Sequence, residues 1–175
     1  FGDSLMAGYG LPKEQHLSIV LQNSLLIEGY NIEIINGSVS GSTSAGGLNI
    51  AEWTLSENNI DFMILCLGAN DMLRGINPKE TKNNLEEIIK IAKNKNIKVI
   101  IAGMIAPTSY GFSYKKSFDQ IFFELSKKYK LQLIPFLLEG VAQKPEFNLS
   151  DGMHPNDQGT IIIGNTLKKA ILENL

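Results

Sequence analysis

Short apolar runs rich in β-branched residues alternate along the chain with longer stretches in which apolar positions recur every three or four residues. That alternation marks an α/β domain on a mainly parallel sheet, its strands buried on both faces. Strands are expected at residues 32–35, 60–67, 97–104 and 131–134, with Gly68 and Pro135 ending two of them. The spacing predicts a helix over 78–94, where Asn77 can cap, Pro78 suits the first turn, and Leu85, Ile88, Ile89 and Ala92 share one face. Ser113 can cap a second helix, 114–129, in which Phe118, Ile121, Phe122 and Leu125 form an i, i+3, i+4, i+7 stripe. A third runs over 17–28 and stops at Gly29, and a fourth over 157–173 starts after Asn156. No repeat, low-complexity tract or linker interrupts the pattern, so residues 1–175 read as one domain.

In such an architecture ligands sit beyond the carboxyl ends of the strands. This directs attention to the loops at 2–10, 36–47, 68–75 and 150–156, where glycine and polar residues are concentrated. Composition narrows what they can do. The chain has 16 Lys+Arg against 18 Asp+Glu, a net charge of −2, and no basic stripe, which argues against a nucleic-acid partner. One cysteine, Cys66, with two histidines, His16 and His154, excludes an internal disulfide and a Cys/His zinc site. Cys66 falls in an expected buried strand and reads as core, and His16 as a solvated or capping residue. The longest apolar stretch, 62–67, is far short of the roughly 20 residues of a membrane-spanning helix. The sequence opens at Phe1 directly inside a candidate motif, so any signal peptide, and most of a first strand, would lie upstream of it.

Several familiar motifs fail. Gly41 to Gly46 has the glycine spacing of a phosphate loop, but Gly47 stands where that loop needs lysine. There is no Gly-x-Gly-x-x-Gly, no His-Glu-x-x-His and no Gly-x-Ser-x-Gly. What remains is distributed over the four loops. Asp151 stands three residues before His154, a spacing at which a carboxylate can hold one ring nitrogen and leave the other free as a base. Ser4, in Phe1-Gly-Asp-Ser-Leu5, occupies a strand-to-helix turn, and a serine hydroxyl needs such a base to act as a nucleophile. Gly41 offers an unshielded backbone amide and Asn70 a side-chain amide, the donor types that stabilise an oxyanion. Each feature alone reads equally as a cap or a turn, Asp3 and Ser4 included.

Taken together and in order, Gly2-Asp-Ser-Leu5, Gly41, Gly68-Ala-Asn-Asp71 and Asp151-Gly-Met-His154 resemble the four blocks of the SGNH hydrolases, also called the GDSL esterase/lipase family. The resemblance extends through Asn36 to Gly41, Leu67 to Gly75, Tyr110-Gly111 and Leu133 to Phe136, and is nearest to the bacterial thioesterase I/protease I/lysophospholipase L1 and arylesterase subgroup. Ser42 and Ala69 depart from that subgroup, which often has an acidic residue and a second glycine there. The resemblance implies a flavodoxin-like three-layer α/β/α sandwich with a mainly five-stranded parallel sheet. It implies Ser4 as nucleophile, His154 as base and Asp151 as its orienting partner. The Ser4 N–H, Gly41 N–H and Asn70 amide would form the oxyanion hole.

The implied activity is hydrolysis of carboxylic ester or thioester bonds of small acyl substrates through an acyl-enzyme, with no metal or organic cofactor. Met6, Met72, Leu73, Ile105, Tyr110 and Met153, with Leu5, lie in or beside the site loops as a candidate apolar acyl pocket, though many such side chains serve equally as core. Two alternatives stay open: a carbohydrate O-acetyl esterase of the same superfamily, and a noncatalytic flavodoxin-like module holding phosphate on residues 38–47. The subgroup resemblance suggests export to the periplasm, and a single cysteine suits either compartment.

Overall fold

A computed structural model describes residues 1–56 and 59–175. Three strands, β1 (Phe62–Leu65), β2 (Lys98–Ala102) and β3 (Gln132–Ile134), form a parallel sheet in the order β1-β2-β3. The register pairs Met63 with Val99 and Ile101 with Leu133. Because side chains alternate across a strand, the apolar runs feed two cores. Met63, Leu65, Val99 and Ile101 face one, while Ile64, Cys66, Ile100, Ala102 and Ile134 face the other.

Seven α-helices cover these faces among the described residues: α1 (Ser4–Ala7), α2 (Leu17–Ile27), α3 (Ser44–Thr54), α4 (Ala69–Leu73), α5 (Pro78–Asn94), α6 (Phe112–Tyr129) and α7 (Asp157–Leu172). The first core is closed by Leu85, Ile88, Ile89 and Ala92 of α5 and by Phe118, Ile121, Phe122 and Leu125 of α6. The second is closed by Leu17, Leu21 and Leu25 of α2 and by Ile163, Leu167, Ala170 and Ile171 of α7. The result is a three-layer α/β/α arrangement with connections running from each strand's carboxyl end into a helix.

The expected helices are present, with Asn77 and Asn156 capping α5 and α7 through the N–H groups of Lys79 and Gly159. The expected strands are longer than the ladders, which occupy the central parts of 60–67 and 97–104 and the last three residues of 131–134. Ser113 does not cap α6: the helix starts two residues earlier than expected, at Phe112, from Gly111 at φ 85°, with no side-chain cap. Residues 32–35 form no strand, and a five-stranded count is not reached among the described residues. Phe1 and Gly2 run beside the end of β1, with Cys66 N–H donating to Phe1 C=O (2.9 Å), and Gly2 C=O accepts the Val39 N–H (3.0 Å) on its other side. Ile32 and Ile34 pack on the second core, but the Ile34 N–H is taken by Gln22 Oε1 (2.8 Å) and not by a neighbouring strand.

Where the sequence pattern places a loop at 36–47, its last residues begin helix α3, although Gly46 and Gly47 weaken a helical pattern. Packing overrides the propensity: a Cβ on Gly47 would lie 2.3 Å from Leu67 Cδ1, so the glycine lets α3 close onto the end of β1. Asp71, fully buried, then ties three helices together. It accepts the Ser44 N–H (2.7 Å) and Ser44 hydroxyl from α3 and the Thr81 hydroxyl (3.1 Å) from α5, while Asn84 Nδ2 donates to Ser44 Oγ (3.0 Å). Removing this carboxylate strands several buried donors, each costly to leave unpaired. Asp71→Ala is expected to lower unfolding free energy by about 3 kcal/mol in urea titrations; a loss below about 1 kcal/mol would mean that the network contributes little.

Candidate active site

Ser4 is the first residue of α1, two residues beyond Gly2, which bridges to Cys66 at the end of β1. Asp3, its N-cap, accepts the Leu5 N–H on Oδ1 (3.1 Å), and Gly8 at φ 81° ends the turn. A Cβ on Gly8 would fall 2.4 Å from the His16 ring, whose Nε2 bonds the Leu11 C=O (3.0 Å). His16 stands at the N-cap position of α2, as a capping residue would, though its side chain makes no capping bond; half-buried, its ring braces the turn that carries Ser4.

His154 comes from the other end of the chain. Its loop is closed by an antiparallel bridge between Asn148 and Pro155 and by Leu149 N–H to His154 C=O (2.7 Å). Asp151 accepts the N–H groups of Met153 (2.8 Å) and His154 (3.0 Å) on Oδ1, which leaves Oδ2 to face the ring. His154 Nδ1–H donates to that oxygen (2.7 Å), so Nε2 is the unprotonated nitrogen and accepts the Ser4 hydroxyl (2.8 Å). These hydrogen bonds, the two backbone amides first, hold the Asp151 carboxyl down at about 2, so it is an anion throughout the neutral range.

Asn70 lies in the first turn of α4, and its Nδ2 donates to Asp3 Oδ2 (3.2 Å) beneath Ser4. Gly41 reaches the same corner through two contacts. Val39 N–H bonds Gly2 C=O, and Arg74, one turn beyond Asn70, donates to the Gly41 carbonyl (3.0 Å). Among the described residues the N–H groups of Ser4 and Gly41, and the second N–H of Asn70 Nδ2, have no acceptor. A proton-relay pair beside free N–H donors is the equipment for attack on a carbonyl carbon and stabilisation of the resulting oxyanion.

The expected apolar set divides. Leu5 is buried and Met6 and Met72 pack on the cores, whereas Leu73 at the end of α4, and Ile105 and Met153 on loops, are exposed at the carboxyl edge of the sheet. Tyr110 stacks on Tyr114 (5.5 Å between ring centres) and lines an open groove with Gly75, Asn77 and Phe112. Cys66 is core, its thiol pushed up by burial. Two neighbours escaped the sequence reading. Tyr9 leans on the His154 ring (4.4 Å between centres), signalled only by its place between Gly8 and Gly10 in the Ser4 loop. Asp3 was read as a cap, which it is, but its bond to Asn70 depends on a contact 67 residues away that no local pattern announces. No cluster of metal-ligating side chains occurs among the described residues.

Fold and site together define a serine hydrolase of the α/β/α type. Residues 1–160 match the model of the GDSL-like lipase/acylhydrolase family, and the chain belongs to that family. It is 36% identical to the arylesterase of Vibrio mimicus over 174 residues, covering 99% of this chain and 87% of that one. It is 31% identical to the thioesterase 1/protease 1/lysophospholipase L1 of Escherichia coli K12 over 170 residues, covering 97% and 80%. The crystal structure of TesA superposes with a TM-score of 0.93 at 33% identity, covering 99% of this chain and 97% of that one.

Burial lifts the Asp3 carboxyl to about 6, against the opposing pull of the Leu5 N–H and the Asn70 amide. A carboxyl whose pKa rises on folding favours the fold while protonated, fully so below its ordinary 3.8, and that contribution is lost as pH climbs through 6. Asp3→Asn cannot ionise. The stability of wild type minus that of Asp3→Asn, from denaturant titrations, is therefore expected to fall between pH 4 and pH 7; a flat difference would contradict the shift.

Proposed function

We propose that the protein is an SGNH-type serine esterase/thioesterase that cleaves carboxylic ester or thioester bonds of small acyl substrates through an acyl-enzyme. The observation that carries the reading is the chain of hydrogen bonds Ser4 Oγ to His154 Nε2 and His154 Nδ1 to Asp151, at 2.8 and 2.7 Å. Its activity class is that of the family and of the relatives named arylesterase and thioesterase 1/protease 1/lysophospholipase L1.

In the proposed cycle Ser4 Oγ attacks the acyl carbonyl carbon as its proton passes to His154 Nε2. The carbonyl π electrons move to oxygen, and the Ser4 N–H, Gly41 N–H and Asn70 amide receive the oxyanion. Asp151, ionised at neutral pH, offsets the charge of the imidazolium. Collapse breaks the bond to the alcohol or thiol, which leaves with the proton from His154. Water then attacks the acyl carbon as its proton passes to His154, the bond from that carbon to Ser4 Oγ breaks, and Oγ takes the proton from His154 as the carboxylic acid leaves. The exposed Leu73, Ile105 and Met153, with the groove at Tyr110, would receive the acyl chain, which favours acyl esters over acetylated sugars.

The phosphate-holding alternative meets a physical obstacle. The amino end of α3, where an anion would sit on residues 38–47, is already occupied by the Asp71 carboxylate on the Ser44 N–H, and Thr43 Oγ1 takes the Gly46 N–H (3.2 Å). Hydrolysis of p-nitrophenyl esters from acetate to long acyl chains, with palmitoyl-CoA and lysophosphatidylcholine, tests the whole reading. Activity on the longer chains is expected, with Ser4→Ala reduced by roughly 10⁴-fold or more. Rates confined to acetate would favour the O-acetyl esterase, and equal rates with and without Ser4 would remove the serine mechanism.

A further inference from the structure

Asp3 is buried to 1% exposure and makes no ion pair among the described residues. As a cap for α1 alone it is a costly choice, because a serine or asparagine caps about as well without burying an ionisable group. Its two oxygens are spent on different elements. Oδ1 takes the Leu5 N–H within the Ser4 turn, and Oδ2 takes one N–H of the Asn70 amide on α4.

A primary amide can turn over, exchanging its NH₂ and C=O ends. Only one orientation presents an N–H to an oxyanion; the other presents a carbonyl lone pair that repels it. An acceptor that cannot donate, as a carboxylate cannot, enforces the first orientation. From this geometry we infer that Asp3 is a positioning residue for the oxyanion hole, locking the Asn70 amide with its NH₂ group toward the reacting carbonyl and coupling that amide to the turn that aims Ser4. The inference rests on the role proposed above for Asn70. It also accounts for an aspartate directly before the nucleophile, where the cap requires only a hydroxyl.

The test is a double-mutant cycle on the esterase reaction. Asp3→Ser keeps a capping hydroxyl for the Leu5 N–H and removes the partner of Asn70. Its kcat is expected to fall roughly 10-fold to 100-fold, a part of the 10²–10³ that one oxyanion donor supplies, with KM within about twofold. In an Asn70→Ala background the same change is expected to alter kcat by less than about threefold, because the amide it would position is gone. A merely structural role would instead lower thermal stability and reduce kcat by the same factor in both backgrounds, and that result overturns the inference. Should Asp3→Ser fail to fold, Asp3→Asn serves in the same cycle, since one carbonyl oxygen cannot satisfy both donors. If Asn70→Ala leaves kcat unchanged, the oxyanion role of Asn70 falls and the inference with it; if Asn70→Ala is impaired and Asp3→Ser is not, only the inference falls.

Discussion

A 2.8 Å hydrogen bond joins Ser4 and His154, side chains 150 positions apart, and the rest of the molecule is what makes that distance repeatable. The constraint is met by a sheet whose two faces are both covered. Phe1 and Gly2 run beside the end of β1, so Ser4 emerges at the carboxyl edge, and α7 packs across α2 on the second core, so the loop before it ends at the same edge. Neither chain end could hold its residue alone. The buried apolar residues of two cores supply the rigidity, and the polar chemistry is confined to turns at one rim.

Within that rim the ionisable groups divide the work by environment. Asp151, exposed but met by two backbone amides and the imidazole, stays charged far below neutrality. Asp3, buried beneath Ser4, is held near 6 by desolvation. Asp71, buried without a cation but surrounded by hydroxyl and amide donors, fastens α3 and α5 to the short helix that carries Asn70. One carboxylate holds the His154 ring, one sits between the Ser4 turn and Asn70, and one anchors the scaffold behind them.

Much of this was legible in the sequence because it is local. The helix at 78–94 carries its own cap, proline and apolar stripe, and its observed limits are Pro78–Asn94. The Asp151–His154 spacing likewise contains its own geometry, since three residues of turn place the carboxylate on Nδ1. What the sequence hid is non-local. Helix α3 forms against its glycines because Leu67 needs the space beside Gly47, and residues 32–35, with an ordinary strand pattern, form no strand where a distant side chain, Gln22, takes the Ile34 N–H. The bond from Asn70 to Asp3 and the contact of Tyr9 with His154 depend on loops meeting in space, which no local spacing encodes.

The central claim is that Ser4 is the nucleophile and His154 makes it so. A p-nitrophenyl alkylphosphonate tests it in one turnover, because the activated serine oxygen attacks phosphorus, p-nitrophenolate departs, and the covalent adduct remains. The account predicts one equivalent of p-nitrophenolate per chain and a single mass increment, mapped by fragmentation to Ser4 and abolished in His154→Ala. A stoichiometric label on another residue, or labelling of Ser4 at an undiminished rate without His154, would contradict it.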